Sequence, residues 1–259
     1  MIKYNFHTHT SFCDGKNTAE EMVLSAIENG FSDIGFSGHS YTPFNTSYCM
    51  MDTGGYIEEI KRLKEKYKGQ INVWLGIELD AFSDMHSGFD YTIGSAHFLL
   101  AKDKYYEVDL SADGLKNALI EGFDGDVKGF YSAYYNTLVE GIKKHKPSFV
   151  GHFDLITKFS ETEPLFDEFS AEYQKMAINA LDEIIKYCNV FEVNTGAMSR
   201  GYKRKPYPSE WILRQMKSRD IRLILSSDSH AVDTLNYAFD ETIELIKDCG
   251  LYDKLIKEI

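Results

Sequence analysis

Seven short apolar runs punctuate the chain, at positions 2–6, 33–37, 73–77, 91–95, 149–151, 190–193 and 223–227. Their length and their content of Ile, Val, Leu, Phe and Tyr suit buried strands. Longer stretches with helical spacing separate several of them. Thr18 and Glu21 form a capping box that starts one helix, and Gly30 stops it. Tyr56, Ile57, Ile60, Leu63 and Tyr67 share one face of a second helix, ended by Gly69. Phe130, Tyr131, Tyr134, Tyr135, Leu138 and Ile142 line a third, which ends before Pro147. Phe169, Tyr173, Met176, Ala177, Ala180, Leu181, Ile184 and Ile185 line a fourth. Ser209, after Pro208, opens a fifth that carries Trp211, Ile212 and Met216. These stripes read as surfaces that pack on a core.

Strands that alternate with helices imply βαβ units and a parallel sheet. No linker rich in Pro, Gly or Ser interrupts residues 1–259, which read as a single α/β domain; a barrel is common at this length. Tyr91 follows Leu79 too closely for a helical crossover, so that link must be irregular. The stretch 102–128 is polar and contains Gly114, Gly122 and Gly125, and it reads as a mobile loop over the site.

Composition narrows the class. The net charge of −12 repels a phosphate backbone and argues against nucleic acid as a partner, although bound metals could invert the field locally. Cys13, Cys49, Cys188 and Cys249 are scattered with no C-x-x-C pair, so they read as free thiols. The opening residues lack the apolar core of a signal peptide, and no apolar run reaches the roughly 18 residues of a membrane span. A cytoplasmic protein without membrane contact is the expectation.

The candidate chemistry lies where the strands end. The first strand runs into His7-Thr8-His9, the second into Gly38-His39 and the third into Glu78. The fourth is followed by His97, the fifth by His152 and the seventh by Asp228-Ser229-His230. The sixth ends in Asn194-Thr195-Gly196, with Arg200 shortly after. In an α/β barrel these ends meet on one face, where active sites are built. Alternation along an extended backbone sends His7 and His9 to the same side, and Asp228 and His230 have the same spacing. Histidine mixed with carboxylate suits Zn²⁺, Mn²⁺ or Fe²⁺. His86, in the turn Asp84-Met85-His86-Ser87-Gly88, and His145, before Pro147, fall outside this pattern and read as surface residues.

With these motifs the sequence resembles the polymerase-and-histidinol-phosphatase (PHP) superfamily, and within it the histidinol-phosphate phosphatases. The residues that carry the resemblance are His7-Thr8-His9-Thr10, Gly38-His39, Gly76-Ile77-Glu78-Leu79-Asp80, residues 90–98 with Ala96-His97, Gly151-His152-Phe153-Asp154, Glu192-Val193-Asn194-Thr195-Gly196 and Ser226-Ser227-Asp228-Ser229-His230. Asn194-Thr195-Gly196, Arg200 and Tyr207-Pro208-Ser209 suggest the phosphatase branch. The resemblance implies a distorted seven-stranded (β/α)7 TIM-like barrel with three divalent metal ions (Zn, Mn or Fe). By motif, the first ion takes His7, His9, Glu78 and Asp228. The second shares Glu78 and adds His97 and His152. The third takes His39 and His230, completed by Asp14 where many members of the superfamily have a histidine.

Such a site implies hydrolysis of a small phosphate monoester, L-histidinol phosphate by resemblance, through attack of a metal-bridging hydroxide. Three divalent ions offset by Asp14, Glu78 and Asp228 leave a local charge of about +3, which favours a phosphate in an otherwise acidic protein. Glu78, Asp228 and Arg200 are the candidate catalytic residues. Arg200 is also a candidate phosphate clamp, because a guanidinium fork matches phosphate oxygens, and Lys158 is a second one. Asp80 reads as a proton carrier or a structural carboxylate. The competing readings are a PHP phosphodiesterase or exonuclease acting on nucleotides, an amidohydrolase, and a non-catalytic metal-binding barrel. The carbamylated lysine often found in amidohydrolases has no counterpart at the ends of strands three and four.

Overall fold

The seven apolar runs become seven parallel strands, seen in a computed structural model that describes residues 2–84 and 87–257. In chain order the elements are β1 (Tyr4–Asn5), α1 (Ala19–Glu28), β2 (Asp33–Phe36), α2 (Thr53–Lys66), β3 (Asn72–Asp80), β4 (Tyr91–Ser95), β5 (Phe98–Ala101), β6 (Lys104–Glu107) and α3 (Ala112–Asn117). There follow α4 (Val127–His145), β7 (Phe149–Val150), α5 (Ala171–Ile184), β8 (Val190–Asn194), α6 (Gly196–Ser199), α7 (Glu210–Met216), β9 (Arg222–Ser226) and α8 (Phe239–Asp248). The strand order β1-β2-β3-β4-β7-β8-β9 makes one sheet. Its edges meet where the His9 amide donates to the Ser229 carbonyl at 2.8 Å and the Ser229 amide to the His7 carbonyl at 3.1 Å. The sheet is therefore a nearly closed barrel, with helices outside, and the expected architecture is observed.

Local chemistry sets the ends of the helices. The Thr18 hydroxyl accepts from the Glu21 amide at 3.3 Å, and the Glu21 carboxylate accepts from the Thr18 amide at 2.8 Å. Gly30, at φ +71°, turns the chain out of α1 and lets the Phe31 amide reach the Ala26 carbonyl at 2.9 Å. The link from β3 to β4 has no helix among its described residues, as the short spacing requires.

The core is continuous, and one side chain ties its lower part together. Tyr91, at the start of β4, crosses the barrel interior, where its hydroxyl reaches the carbonyls of Phe6 (2.7 Å) and Phe36 (3.0 Å). It can do so because Gly35 and Gly76 leave room. A Cβ at Gly76 would stand 2.2 Å from the Tyr91 ring, and one at Gly35 would stand 2.5 Å from its hydroxyl.

Three expectations are corrected. The stretch 102–128 is built structure, not a mobile loop: it completes an antiparallel β5–β6 hairpin, then forms α3 and one π turn. Most of its polar residues are exposed, while Tyr106, Val108, Leu115 and Ala118 are buried, and counting polarity alone missed this division. His145 is buried because the C-terminal end of α4 packs on the barrel, where its Nε2 meets the Asp80 carbonyl at 3.2 Å. Phe169 is 67% exposed, because it precedes the Ser170 cap of α5 and so lies outside the helical repeat.

Replacing Tyr91 by Phe removes a hydrogen bond from a buried position and should cost about 1–2 kcal/mol of unfolding free energy. Gly76→Ala should cost about 3 kcal/mol or more by overpacking. Urea unfolding checks both; equal midpoints for Gly76→Ala and the parent would refute the packing argument.

Candidate metal centre

Barrel closure brings together nine side chains from six strand ends and the loop after β1. Their hub is Glu78, buried in β3. Its Oε1 accepts from the Ser95 hydroxyl (2.7 Å) and lies 2.9 Å from His152 Nε2 and 3.3 Å from His97 Nε2. Its Oε2 lies 3.1 Å from His7 Nε2, 3.0 Å from His39 Nδ1 and 3.6 Å from His9 Nε2. Asp228 Oδ1 is 3.2 Å from His9 Nε2 and 3.5 Å from His7 Nε2. Asp14 extends the cluster outward, 3.2 Å from His230 Nε2 and 3.8 Å from both His9 Nδ1 and His39 Nε2. All nine residues singled out as metal ligands in the sequence thus meet in one place.

This donor set suits divalent ions. Two ligand atoms about 2.1 Å from a shared ion stand about 3.0–3.4 Å apart at right-angle or tetrahedral geometry. Most of the nitrogen–oxygen separations around Glu78 fall in or near that range. Proton accounting agrees. His7 Nδ1 is 2.6 Å from Glu192 Oε1, so its proton belongs there and its Nε2 lone pair faces the Glu78 carboxylate. Two acceptors 3.1 Å apart need a cation between them. Without a metal that cation is a second proton: burial opposes a charged His7, but Glu192, Glu78 and Asp228 outweigh it and hold its pKa well above the usual imidazole value. His9 behaves oppositely. Burial, then His230 and His39, push it down to about 3, so it stays neutral. Burial would raise the Glu78 carboxyl, but His7, His39 and His97 keep it well below the ordinary range. Metal ions exchange for such protons.

Two carboxylates hold these imidazoles from behind. Glu192, buried in β8, accepts from His7 Nδ1, the Ser226 hydroxyl, the His152 amide (2.8 Å) and Asn194 Nδ2 (2.9 Å). Asp80 accepts from the amides of Phe82 (2.9 Å) and His97 (2.8 Å). Both Asp80 oxygens are engaged by backbone, which favours the structural over the proton-carrying alternative. Glu192 was quoted within a motif but given no role in the sequence, since it points into the barrel from within a strand and does not sit at its end.

A cavity of about 340 Å³ opens over the cluster, lined by Asp14, His39, His97, His152, Asp228 and His230 from the centre and by Tyr48, Glu107, Asp109, Lys158 and Arg200 around it. Arg200 donates to Asp228 Oδ2 (3.0 Å) and to the Asp228 carbonyl (3.2 Å), and its Nη1 lies 3.1 Å from His230 Nδ1. It supports Asp228 at φ +49°, a left-handed backbone that side chains seldom adopt. Lys158 also reaches the cavity, but it is paired with Asp109 Oδ2 at 3.1 Å and the Asp109 carbonyl at 2.6 Å. It is thus a partnered cation, not a free clamp. His86 lies outside the described residues.

The PHP domain family model matches residues 5–196. A Bacillus subtilis histidinol-phosphatase is 28% identical over 271 aligned positions, which cover 94% of this chain and 99% of that protein. A Lactococcus lactis histidinol-phosphatase is 22% identical, covering 97% and 92%. Among solved structures, the histidinol phosphate phosphatase of Lactococcus lactis, complexed with zinc, L-histidinol and phosphate, superposes with a TM-score of 0.75 at 20% identity, covering 96% of this chain and 94% of that one. That likeness shows the fold.

Glu192→Gln puts an amide where four donors converge, so at least one donor loses its acceptor and His7 loses its fixed tautomer. The variant should fold and bind divalent metal about 10–100-fold more weakly, the usual effect of losing a carboxylate behind a ligand histidine. Competition with a chelator measures this, and parental affinity would remove Glu192 from the positioning role.

Proposed function

The chain belongs to the PHP domain family, and on that premise we propose that it is a metal-dependent phosphatase that hydrolyses L-histidinol phosphate to L-histidinol and phosphate. The observation that carries this reading is the contact of Glu78 with five imidazoles beneath a cavity edged by Arg200. Full-length similarity to two histidinol-phosphatases supports the choice of substrate.

His7, His9, Asp14, His39, Glu78, His97, His152, Asp228 and His230 would hold the ions, three in number, with zinc, manganese or iron as candidates. When bound, the ions supply positive charge for the phosphoryl oxygens and acidify water. The chain's own residues do the rest. Glu78 and Asp228 hold the imidazoles in one arrangement, and Glu192 fixes the tautomer of His7. Arg200 already bridges two strand ends and presents its remaining donors to the cavity, where a phosphate oxygen can take them. Residues 1–259 act in this reading as one PHP domain.

Chelation should abolish turnover of L-histidinol phosphate, and added divalent metal should restore it. His7→Ala, Glu78→Ala and Asp228→Ala should each lose both metal and activity; full metal content and full turnover in all three would sink the reading. A dinucleotide and a simple amide assayed beside the monoester separate the phosphatase from a phosphodiesterase and an amidohydrolase. Arg200→Ala should raise KM for the ester by at least tenfold and lower kcat through its support of Asp228. An unchanged KM would exclude Arg200 from phosphate binding.

A further inference from the structure

Neighbouring strands of the barrel are joined by ladders except at one seam. Among the described residues β1 and β9 share no ladder, and their backbones pair only at the bridge between Thr8 and Ser229, just past the end of each strand. Nearer the strand starts, the C-terminal segment covers the gap. Leu255 bridges Leu223, the Ile256 amide donates to the Leu223 carbonyl at 2.8 Å, and the Tyr4 hydroxyl donates to the Ile256 carbonyl at 2.5 Å. Between these two points a single side chain crosses the seam, that of Asn5, which has no exposure to water. Its Nδ2 donates to Ser227 Oγ (2.6 Å) and to the Leu235 carbonyl (2.9 Å). Its Oδ1 accepts from the amides of His7 (3.1 Å) and Ser227 (3.4 Å). Two donated and two accepted bonds are the full capacity of a carboxamide. Ser227 Oγ donates in turn to the Leu235 carbonyl at 3.0 Å, and both of those residues are fully buried, so bulk water cannot replace a lost partner.

The residues that Asn5 joins adjoin the metal centre. His7 carries one of its imidazoles, and Ser227 directly precedes Asp228, whose left-handed backbone at φ +49° needs firm support. His7, His152 and Asp228 are close enough to share an ion, with His7 Nε2 3.5 Å from Asp228 Oδ1. That pair spans the seam, one member from each edge of the sheet. Distances from ligand to ion must hold to within about 0.2 Å, so a seam that slid by a fraction of an ångström would spoil the pair. The backbone bonds at Ser229 secure Asp228 on its C-terminal side. The carboxamide secures it on the other, through the amide and hydroxyl of Ser227, and the same Oδ1 holds the His7 amide.

We propose that Asn5 is a positioning residue for the metal centre: its carboxamide staples the open seam and sets the distance between His7 and Asp228. It touches neither the ions nor the substrate and acts through the backbone on either side. The inference rests on the metal-dependent reading above. The Tyr4 contact with the C-terminal segment closes the same seam farther from the site and carries stability without setting that distance.

The test measures Zn²⁺ affinity of the full-length protein by chelator competition, beside urea unfolding of the metal-free form. Asn5→Ala should weaken zinc binding by about tenfold or more, the scale on which residues behind the ligands act. Asn5→Asp still offers an oxygen to both amides and should recover at least half of that loss on a logarithmic scale. Ser227→Ala cuts the staple from the other edge and should weaken binding by about threefold or more. Tyr4→Phe should lower the urea midpoint but leave zinc affinity within about twofold of the parent. Parental zinc affinity in folded Asn5→Ala overturns the proposal, and Ser227→Ala decides in the same way if Asn5→Ala does not fold. Asn5→Asp no better than Asn5→Ala, or a loss in Tyr4→Phe as large as in Asn5→Ala, overturns it too, since the effect would then belong to barrel closure in general. These outcomes leave the phosphatase reading intact. A parent that binds no divalent metal removes both, whereas a parent that binds zinc but does not hydrolyse the ester removes the phosphatase reading alone.

Discussion

Glu78 is a carboxylate with almost no exposure to water, and five imidazoles stand within 3.6 Å of it. An isolated carboxylate in such a place would be neutralised by protonation. Here the imidazoles keep it charged, and in turn it fixes where each of them can stand. The barrel is the scaffold that makes this possible. Pairing along β3 carries Glu78 past the end of β2, so that His39 sits directly alongside it. The bond between His7 and Ser229 that closes the ring brings Asp228 to the same depth. Loosening either edge of the sheet would separate the hub from its partners.

The surroundings divide the labour by sign. Carboxylates behind the imidazoles, Glu192 and Asp80, orient them through hydrogen bonds. Carboxylates among them, Glu78 and Asp228, stand where they would offer oxygen to a shared ion. Glu107 and Asp109, on the hairpin side, do neither and edge the cavity.

Much of this was legible in the sequence because barrel strands are short and their ends converge. His7, His9, His39, His97, His152 and His230 each follow an apolar run, so topology alone places them on one face. Asp14 was placed near His9 by the family resemblance, and it lies beside His230. Other features left a fainter trace. Glu192 sits inside a strand, where alternation cannot tell a hub of hydrogen bonds from a core position. The β5–β6 hairpin mixes exposed Lys104 and Tyr105 with buried Tyr106 and Val108 over so few residues that it reads as polar loop. His145 was misread because proximity to Pro147 marks the end of a helix but not which way that end faces. Lys158 could be assigned a positive charge but not a partner, since Asp109 is 49 positions away.

The left-handed backbone at Asp228 carries one more implication. Besides glycine, that conformation is tolerated best by Asp and Asn, whose short side chains relieve it through local hydrogen bonds. Glutamate, which offers the same functional group one methylene further out, is disfavoured before any ligand arrives. Glycine and asparagine suit the chain but lack the charge. Residue choice at 228 therefore passes two independent filters, one steric and one electrostatic, and aspartate is the amino acid that clears both.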